Sequence, residues 1–429
     1  MQIGWIDFSP EERSRTLTVL SSLSEPGSVD ELGVGIVRDA MADRLFPGTS
    51  TLLTKARYFF LVPYLSRYLE RGHDNSRQDP RALRNAFRDL ERQCAAGLRS
   101  CAKASGHSDE GIIGRVALAS GKWVTRGPGE IYWASLRTLG FMRQGAPDSY
   151  QAQFAYLSDV RTRDQQYRTA PSDGDEGDGL SDDRLALGSM WNLPRDSYDS
   201  WREAWKQWDS EASIALTREE ALFLRDRVVS SRPDSLYALI LTDEKLRQMA
   251  LASVYGEGGT LGDSSLHEFL LHGLARIQSL SPELAQTCAI ADAFSELVLG
   301  CRIAYNMQLS GLEESGSHEW DEFAPRAASV ARDVDLTAVG HVLGLSSHLG
   351  FHALRAFLLR SAACMEAGDL EGLKEQVRRR EAAIKGTRRK IGAKNTGEFA
   401  WRGGHRLPYR FANAMAIVRE IEEAGGCNA

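Results

Sequence analysis

The spacing of apolar residues along the chain predicts a mainly helical protein, most clearly in its second half. Apolar side chains recur at intervals of three and four residues, which places them on one face of an α-helix. No period of 20 to 50 residues stands out, so a repeat architecture is not predicted. The predicted helices cover approximately residues 10–22, 32–45, 50–60, 81–103, 128–139, 217–228, 243–254, 264–279, 282–309, 322–333, 336–344, 349–366, 368–385 and 408–424.

Several helix ends carry recognisable start and stop signals. Pro128 suits the first position of a helix, and Gly140 suits a residue just after its end. Thr217 with Glu220 forms a capping-box pattern, in which each side chain bonds the backbone amide of the other residue. After the Phe46-Pro47-Gly48 stop, Thr49 or Ser50 is predicted to cap the next helix.

Two short apolar runs predict strands near the N-terminus, at residues 2–8 and Val116–Trp123. They indicate a small α+β part. The helix that starts at Pro128 could then be the second helix of a winged-helix-like unit, although ordinary core packing accounts for the same pattern.

Residues 169–183 (TAPSDGDEGDGLSDD) mark the clearest boundary in the chain. The segment is rich in Asp, Gly and Ser and has too few apolar residues to offset the cost of ordering by burial. We predict an N-terminal domain at 1–168, an acidic linker or loop at 169–183, and a helical domain at 184–429.

Charge is distributed unevenly. The whole chain carries −6, whereas residues 371–410 hold twelve Lys and Arg against four Glu, which gives +8 and leaves −14 for the rest. Such asymmetry is typical of a polyanion-binding face on an acidic body. Within the segment, 368–385 reads as a helix in which Glu375 can pair with Arg379 and Glu381 with Lys385.

The stretch 385–394 differs because it contains no acidic residue, and 399–410 interleaves aromatic residues with Arg. Cations bind phosphate and aromatic rings stack on bases, so this region is the predicted nucleic-acid contact. The predicted contact residues are Lys385, Arg388, Arg389, Lys390, Lys394, Trp401, Arg402, Arg406 and Arg410.

Two weaker candidates lie in the first half. A secondary basic patch falls within 111–144, where five Lys and Arg face one Glu, and its candidate residues are Arg115, Lys122, Arg126 and Arg137. Hydroxyls and amides at a helix start can also hold an anion such as phosphate. The residues of that possible anion site are Thr49, Ser50, Thr51, Lys55 and Arg57.

Candidate catalytic chemistry is sparse. His267 and His272 are five residues apart, one too many for a zincin helix, and no histidine group supplies a complete metal-ligand set. Asp234, an apolar run, then Asp243 and Lys245 resemble the bare pattern of a metal-dependent restriction-type nuclease, in which the run is a strand. Helix capping explains the same residues without chemistry. Neither a phosphate-binding P-loop nor a G-x-S-x-G elbow occurs, so we predict no cofactor.

The six cysteines contain no C-x-x-C pair, and their scatter does not indicate a disulfide framework. The N-terminus lacks the features of a signal peptide, and no run of about 18 apolar residues predicts a membrane span. A cytoplasmic location without membrane contact is therefore expected.

Several stretches resemble an uncharacterised prokaryotic family of a domain of unknown function. They are MQIGWIDFS at 1–9, the 32–65 block that contains PGTST, GEIYWASLRTLGF at 129–141, TREEALFLRDRV at 217–228 and RLPYRF at 406–411. Similar proteins tend to be encoded beside helicases and phospholipase-D-like nucleases in anti-phage defence clusters. The resemblance implies a defence role by association and supplies no catalytic residues.

Taken together, these features predict a non-catalytic nucleic-acid-binding or adaptor subunit of a multi-protein anti-phage system. Its expected partners are DNA or RNA and a helicase or phospholipase-D-like nuclease subunit. One alternative is the metal-dependent nuclease with Asp234, Asp243 and Lys245. Another is a pure interaction scaffold, in which Trp201, Trp205 and Trp208, aligned on one helical face, meet a partner helix.

Overall fold

The computed structural model describes residues 32–72, 79–169, 189–256, 265–273, 280–309, 311–392 and 405–425. Within these ranges the chain is mostly helical, which confirms the predicted fold class in its main part. The helices are α1 (Gly35–Leu45), α2 (Tyr58–Glu70), α3 (Pro80–Ala104), α4 (Arg115–Ala119), α5 (Pro128–Thr138), α6 (Ala152–Thr169), α7 (Ser197–Trp205), α8 (Trp208–Glu211), α9 (Arg218–Ser231), α10 (Leu236–Thr242), α11 (Glu244–Tyr255), α12 (Ser265–Gly273), α13 (Pro282–Asn306), α14 (Glu313–Asp333), α15 (Leu336–Val342), α16 (Leu349–Glu366), α17 (Leu370–Lys385) and α18 (Phe411–Glu423).

The described residues do not support the α+β part or the winged-helix-like unit. Their strand pairing is limited to one isolated antiparallel bridge between Met142 and Trp191. The run Val116–Trp123, predicted as a strand, instead forms the short helix α4 and a turn. The other predicted strand, at 2–8, lies outside the described residues, as does the predicted helix at 10–22.

Helix starts with complete sequence signals are confirmed. Thr217 accepts a hydrogen bond from the amide of Glu220, and the Glu220 carboxylate accepts one from the amide of Thr217, so the capping box is present. Pro128 occupies the first turn of α5, and Gly140 follows its end with φ +69°. These signals are local, and sequence alone is sufficient to read them.

The predicted cap at Thr49 or Ser50 is wrong. Helix α2 begins only at Tyr58, and the residues before it form turns. The Thr49 hydroxyl donates to the carbonyl of Phe46, and Ser50 Oγ accepts from the amide of Leu52. The amides just before α2 donate to side chains of helices that are distant in sequence. The amides of residues 54 and 55 donate to the Tyr132 hydroxyl, and the amide of residue 56 donates to the Glu420 carboxylate.

The chain divides into two compact units, and both are discontinuous in sequence. The larger unit comprises Ala42–Cys288 and Pro408–Ala429, and the smaller unit comprises Met1–Met41 and Ala289–Leu407. The predicted linker at 169–183 lies outside the described residues apart from Thr169, the last residue of α6.

In the larger unit the core surrounds α2, which is apolar on nearly every side. Helices α3, α5, α6 and α7 pack against it. Phe60 makes edge-on ring contacts with Phe141 and Phe223, at centroid distances of 5.5 and 6.1 Å. A helix that is hydrophobic all round must be buried, and α2 therefore forms the centre of this unit.

The tryptophan stripe belongs to the same core. Trp201 and Trp205 lie on α7, whereas the chain turns before Trp208 and begins α8 there. All three side chains are buried, and the Trp208 indole donates to the carbonyl of Cys94 at 2.9 Å. The stripe therefore packs within its own unit and does not present a free face to a partner helix.

The smaller unit is a stack of helices in which α16 packs against α14, α15 and α17. Phe351, Leu354, Phe357 and Leu358 form the buried face of α16. This packing fixes α17, the helix that carries half of the described cations of the basic segment.

One described helix, α13, is long and apolar enough to cross a bilayer by length and composition alone. Its most apolar 18-residue window has a mean hydropathy of 1.3, and 67% of that window is buried within the protein. Burial of this extent is the pattern of a core helix.

Candidate functional site

Helix α17 carries cations that pair with carboxylates of the same helix. The predicted pair between Glu375 and Arg379 is confirmed at 2.7 Å, and the same carboxylate also binds Arg378 at 2.8 Å. Two exposed arginines therefore share one glutamate, with side chains 54% and 70% exposed. At least one positive charge remains uncompensated on this face.

The acid-free stretch after α17 is an ordered turn, and Glu381 holds it. This carboxylate is fully buried and accepts hydrogen bonds from the Tyr305 hydroxyl at 2.9 Å and from the amides of Lys390 at 2.9 Å and Ile391 at 3.1 Å. Lys385, predicted to pair with Glu381, does so at 3.5 Å and is itself buried. Its ammonium is therefore directed at a carboxylate inside the protein.

Arg388 and Arg389 point outward from this turn. Both are exposed, and no carboxylate in the described part of the chain pairs with either. They follow directly on the C-terminal end of α17, where the helix dipole favours positive charge. Arg378, Arg379, Arg388 and Arg389 together form what we call the α17 cationic surface.

The remaining cations of the basic segment are placed differently. Arg406, in the smaller unit, forms an ion pair with the largely buried Glu296, which also binds Arg326. Arg410, in the larger unit, forms an ion pair with Asp43 at 2.6 Å. Of the other predicted contact residues, Lys394, Trp401 and Arg402 lie outside the described residues, and Lys390 is half-buried.

The secondary basic patch is largely neutralised by nearby acids. Arg115 pairs with Asp109 at 3.4 Å, Arg137 with Asp148 at 2.5 Å, and Arg126 with Glu130 at 3.4 Å. The remaining residue, Lys122, is exposed.

The residues of the possible anion site separate into three groups. Lys55 binds Glu420 at 3.0 Å, and Arg57 is buried against Glu220 at 3.1 Å, so both cations already have carboxylate partners. Thr51 is exposed at the turn. Thr49 and Ser50, by contrast, line a cavity.

The nuclease-like residues do not form the arrangement that the pattern requires. The apolar run between them forms helix α10, whose cap is Ser235, whereas the nuclease pattern needs a strand there. Asp243 caps α11 through the amide of Leu246. Asp234 and Lys245 are exposed, and Asp234 contacts Arg44 at 3.8 Å. The geometry is that of two consecutive capped helices.

Among the described residues, no group of three or more His, Cys, Asp or Glu side chains could hold a metal ion. One of the histidines has a structural contact: His348 Nδ1 accepts a hydrogen bond from the amide of Gly350 at the start of α16.

A cavity of about 510 Å³ in the larger unit brings together residues from three separate predictions. Thr49 and Ser50 come from the possible anion site, Arg126 from the secondary patch, and Arg410 from the basic segment. Arg232 also lines this cavity but was not predicted, because nothing in the local sequence distinguishes it from any other arginine in a turn. Glu381 was predicted only as a partner of Lys385, since its bonds to Tyr305 and the turn depend on tertiary packing.

The fold and these sites define a multi-helical protein with an exposed cationic surface in its smaller unit and an arginine-lined cavity in its larger unit. A model of a family of unknown function, DUF6361, matches residues 1–246, more than half of the chain. The chain belongs to this family. Comparison with curated proteins and with solved structures gave no match.

Proposed function

We propose that this protein is a non-catalytic nucleic-acid-binding subunit that contacts the phosphate backbone of DNA or RNA through the α17 cationic surface. The observation that carries the proposal is the exposed pair Arg388 and Arg389, which has no carboxylate partner among the described residues. Unpaired cations repel one another, and a polyanion relieves that repulsion.

The described acids of this region are already engaged, and this supports the proposal. Glu381 is buried and bound to the turn, and Glu375 is shared between Arg378 and Arg379. Neither acid pairs with Arg388 or Arg389. The hydrogen bonds to Glu381 order the backbone of the turn, so less backbone entropy is lost on binding than with a free loop.

Contact with phosphates predicts a steep dependence on salt. If all four arginines of the α17 cationic surface contact phosphates, the slope of log K against log salt is about −3.6 for duplex DNA and about −2.8 for a single strand. The decisive measurement is fluorescence anisotropy of labelled DNA and RNA with the full chain at several salt concentrations.

The matched comparison removes two charges at different places. In Arg388→Gln/Arg389→Gln, affinity should fall and the duplex slope should drop by about 1.8. In Arg218→Gln/Arg332→Gln, which removes two exposed arginines on α9 and α14, the slope should stay close to that of the wild type. Absence of binding at low salt, or equal losses in the two variants, would exclude this surface.

The adaptor role rests on the resemblance to proteins encoded in anti-phage defence clusters. The α17 cationic surface lies outside the family-matched range 1–246. We therefore propose that nucleic-acid contact and partner contact use different parts of the chain, with a helicase or phospholipase-D-like nuclease as the partner. Co-purification of a neighbouring gene product with Arg388→Gln/Arg389→Gln should match that with the wild type. Loss of both nucleic-acid binding and partner binding in this variant would contradict the division.

The chain alone should bind nucleic acid without cleaving it in the presence of magnesium.

A further inference from the structure

The cavity of about 510 Å³ in the larger unit combines charged, hydroxyl-bearing and apolar side chains in its wall. Its wall combines Arg126, Arg232 and Arg410 with Asp43 and Glu130, which leaves a formal charge of +1. Its volume falls in the range of about 300–1,000 Å³ that is typical of small-molecule sites. The net positive charge of the wall favours a small anionic ligand.

Arg410 is held in the cavity wall by an unusual backbone. Tyr409 and Arg410 have φ values of +44° and +63° and are the only non-glycine residues with positive φ in the described part of the chain. The side chains of Tyr409 and of Phe411, which follows Arg410, are buried. Strained positions of this kind cluster at binding and catalytic sites.

The position of the Arg410 guanidinium is fixed by two acceptors on one nitrogen. Nη1 donates to Asp43 Oδ1 at 2.6 Å and to the carbonyl of Thr49 at 2.9 Å. This clamp joins the start of α18 to the Pro-Gly-Thr-Ser turn and shapes one side of the cavity. Arg410 therefore acts as a positioning residue for the turn.

Arg232 supplies a further positive charge to the cavity wall. It is exposed at the end of α9, and no described carboxylate pairs with its side chain. Arg126 contacts Glu130 at 3.4 Å, which is longer than the 2.6 Å between Arg410 and Asp43, and the Arg126 side chain is 48% exposed. A planar guanidinium binds phosphate oxygens through two parallel hydrogen bonds, so these arginines match a phosphate group well.

The cavity also has an apolar side. Leu52, one of only six large hydrophobic residues that are exposed in the described part of the chain, lines it with a side chain 45% exposed. Ile131 and Ala134 of α5 and Pro47 contribute further apolar surface. An exposed leucine beside unpaired charge is suited to the ring of a ligand whose anionic group lies at the arginines.

We propose that this cavity binds a nucleoside monophosphate. The phosphate lies between Arg232 and Arg126, and the base and sugar pack against Leu52 and α5. Such a ligand is either a free nucleotide or the 5′-phosphorylated terminal nucleotide of a strand. The proposal does not depend on the α17 cationic surface.

Isothermal titration calorimetry with the full chain tests the proposal. The probes are AMP, GMP, CMP and UMP, with adenosine and inorganic phosphate as partial ligands. At least one nucleotide should bind with Kd below about 1 mM and more tightly than either partial ligand, because only a nucleotide engages both sides. If no nucleotide binds in this range, or if inorganic phosphate binds as tightly as the best nucleotide, the proposal fails.

Two variants test which residue contacts the phosphate of the ligand and which contacts its base and sugar. Arg232→Gln should weaken nucleotide binding about tenfold to a hundredfold, since a hydrogen bond to a charged group is lost. Arg218→Gln, an exposed arginine outside the cavity, is the matched control and should leave affinity unchanged. Leu52→Ala should weaken nucleotide binding while leaving inorganic phosphate unaffected. Unchanged affinity in Arg232→Gln would overturn the proposal.

The two sources of the ligand are distinguished in the Arg388→Gln/Arg389→Gln background, which removes contacts of the α17 cationic surface. If a 5′-phosphorylated oligonucleotide displaces bound nucleotide and its 5′-hydroxyl counterpart does not, the cavity accepts a strand end. If neither displaces it, the ligand is the free nucleotide. Both results support the site, whereas equal displacement by the two oligonucleotides would argue against recognition of the phosphate.

Discussion

At the scale of single residues, the strained backbone at Arg410 can be separated from the role of its side chain. Replacement by Gly or by Ala removes the same guanidinium and the same bonds to Asp43 and Thr49. Only Gly adopts a φ of +63° without strain. The Ala variant should therefore be less stable than the Gly variant by about 1 kcal/mol.

Urea unfolding of the two variants measures this difference in the free energy of unfolding directly. Both variants lack the Arg410 guanidinium and its hydrogen bonds, and they differ only in Gly or Ala at position 410. If the Ala variant is as stable as the Gly variant, residue 410 relaxes to negative φ once the guanidinium is gone. In that case the bonds of Arg410, rather than the packing of Tyr409 and Phe411, impose the conformation.

The residue scale also shows what the sequence can and cannot predict. The pairs Glu375–Arg379 and Glu381–Lys385 follow from helical spacing, and both are present. The spacing alone cannot show that Glu381 is fully buried and bonded to Tyr305. Those contacts involve residues brought together only by folding, as do the carboxylate partners of Lys55 and Arg57.

At the scale of elements, helix starts were predictable where the cap is local. Thr217 and Glu220 satisfy one another within four residues, and the capping box is present as predicted. The start of α2 was mispredicted because Tyr132 and Glu420, on α5 and α18, bind the amides of the turn before it. Similarly, the run Val116–Trp123 is apolar enough for a strand but has no partner strand in the described part of the chain.

A second helix start that is capped by a residue distant in sequence gives a prediction about the pH dependence of stability. Glu91 on α3 is 1% exposed and accepts a hydrogen bond at 2.6 Å from the amide of Gly129, in the first turn of α5. Burial raises the pKa of the Glu91 carboxyl from 4.5 to about 8, although the Gly129 bond and Arg88 act in the opposite direction. Nearby Glu130 adds slightly to the rise.

Because the folded state keeps a proton that the unfolded state releases, Glu91 lowers stability progressively as pH rises from about 4.5 to about 8. Glu91→Gln is neutral at every pH and keeps a carbonyl oxygen for the Gly129 amide. The variant should gain stability relative to the wild type between pH 5.5 and pH 8.5. Urea unfolding of both proteins at the two pH values measures this gain, and a constant difference would contradict the raised pKa.

At the scale of the whole molecule, local composition and the compact units describe different properties of the chain. Composition placed a boundary at 169–183, because an acidic segment with few apolar residues is typical of a linker. The compact units combine segments that are distant in sequence, since Pro408–Ala429 belongs with Ala42–Cys288. The sequence of α18 predicts an apolar face. It does not indicate which other helices that face packs against, because this depends on residues distant in sequence.

This arrangement predicts that the family-matched range 1–246 does not suffice for a folded unit. Helix α18 packs against α9, α11 and α12. Four of its buried side chains, Phe411, Met415, Val418 and Ile421, are less than 1% exposed. Loss of each such side chain costs about 2–5 kcal/mol. Their sum is comparable with or larger than the whole stability of about 5–15 kcal/mol of a typical domain.

A chain that ends at Leu407 should therefore lose the native packing of the larger unit. Near-ultraviolet circular dichroism is suited to this measurement, because the aromatic core around α2 contributes strongly to the signal. A peptide of residues 408–425 added in trans should restore the signal, since Phe411 packs on Phe46 and Phe269, and Glu422 binds Arg247. The same peptide with Phe411 and Met415 replaced by Ser should not restore it. A native signal from the shortened chain alone would show that α18 covers a core already complete without it.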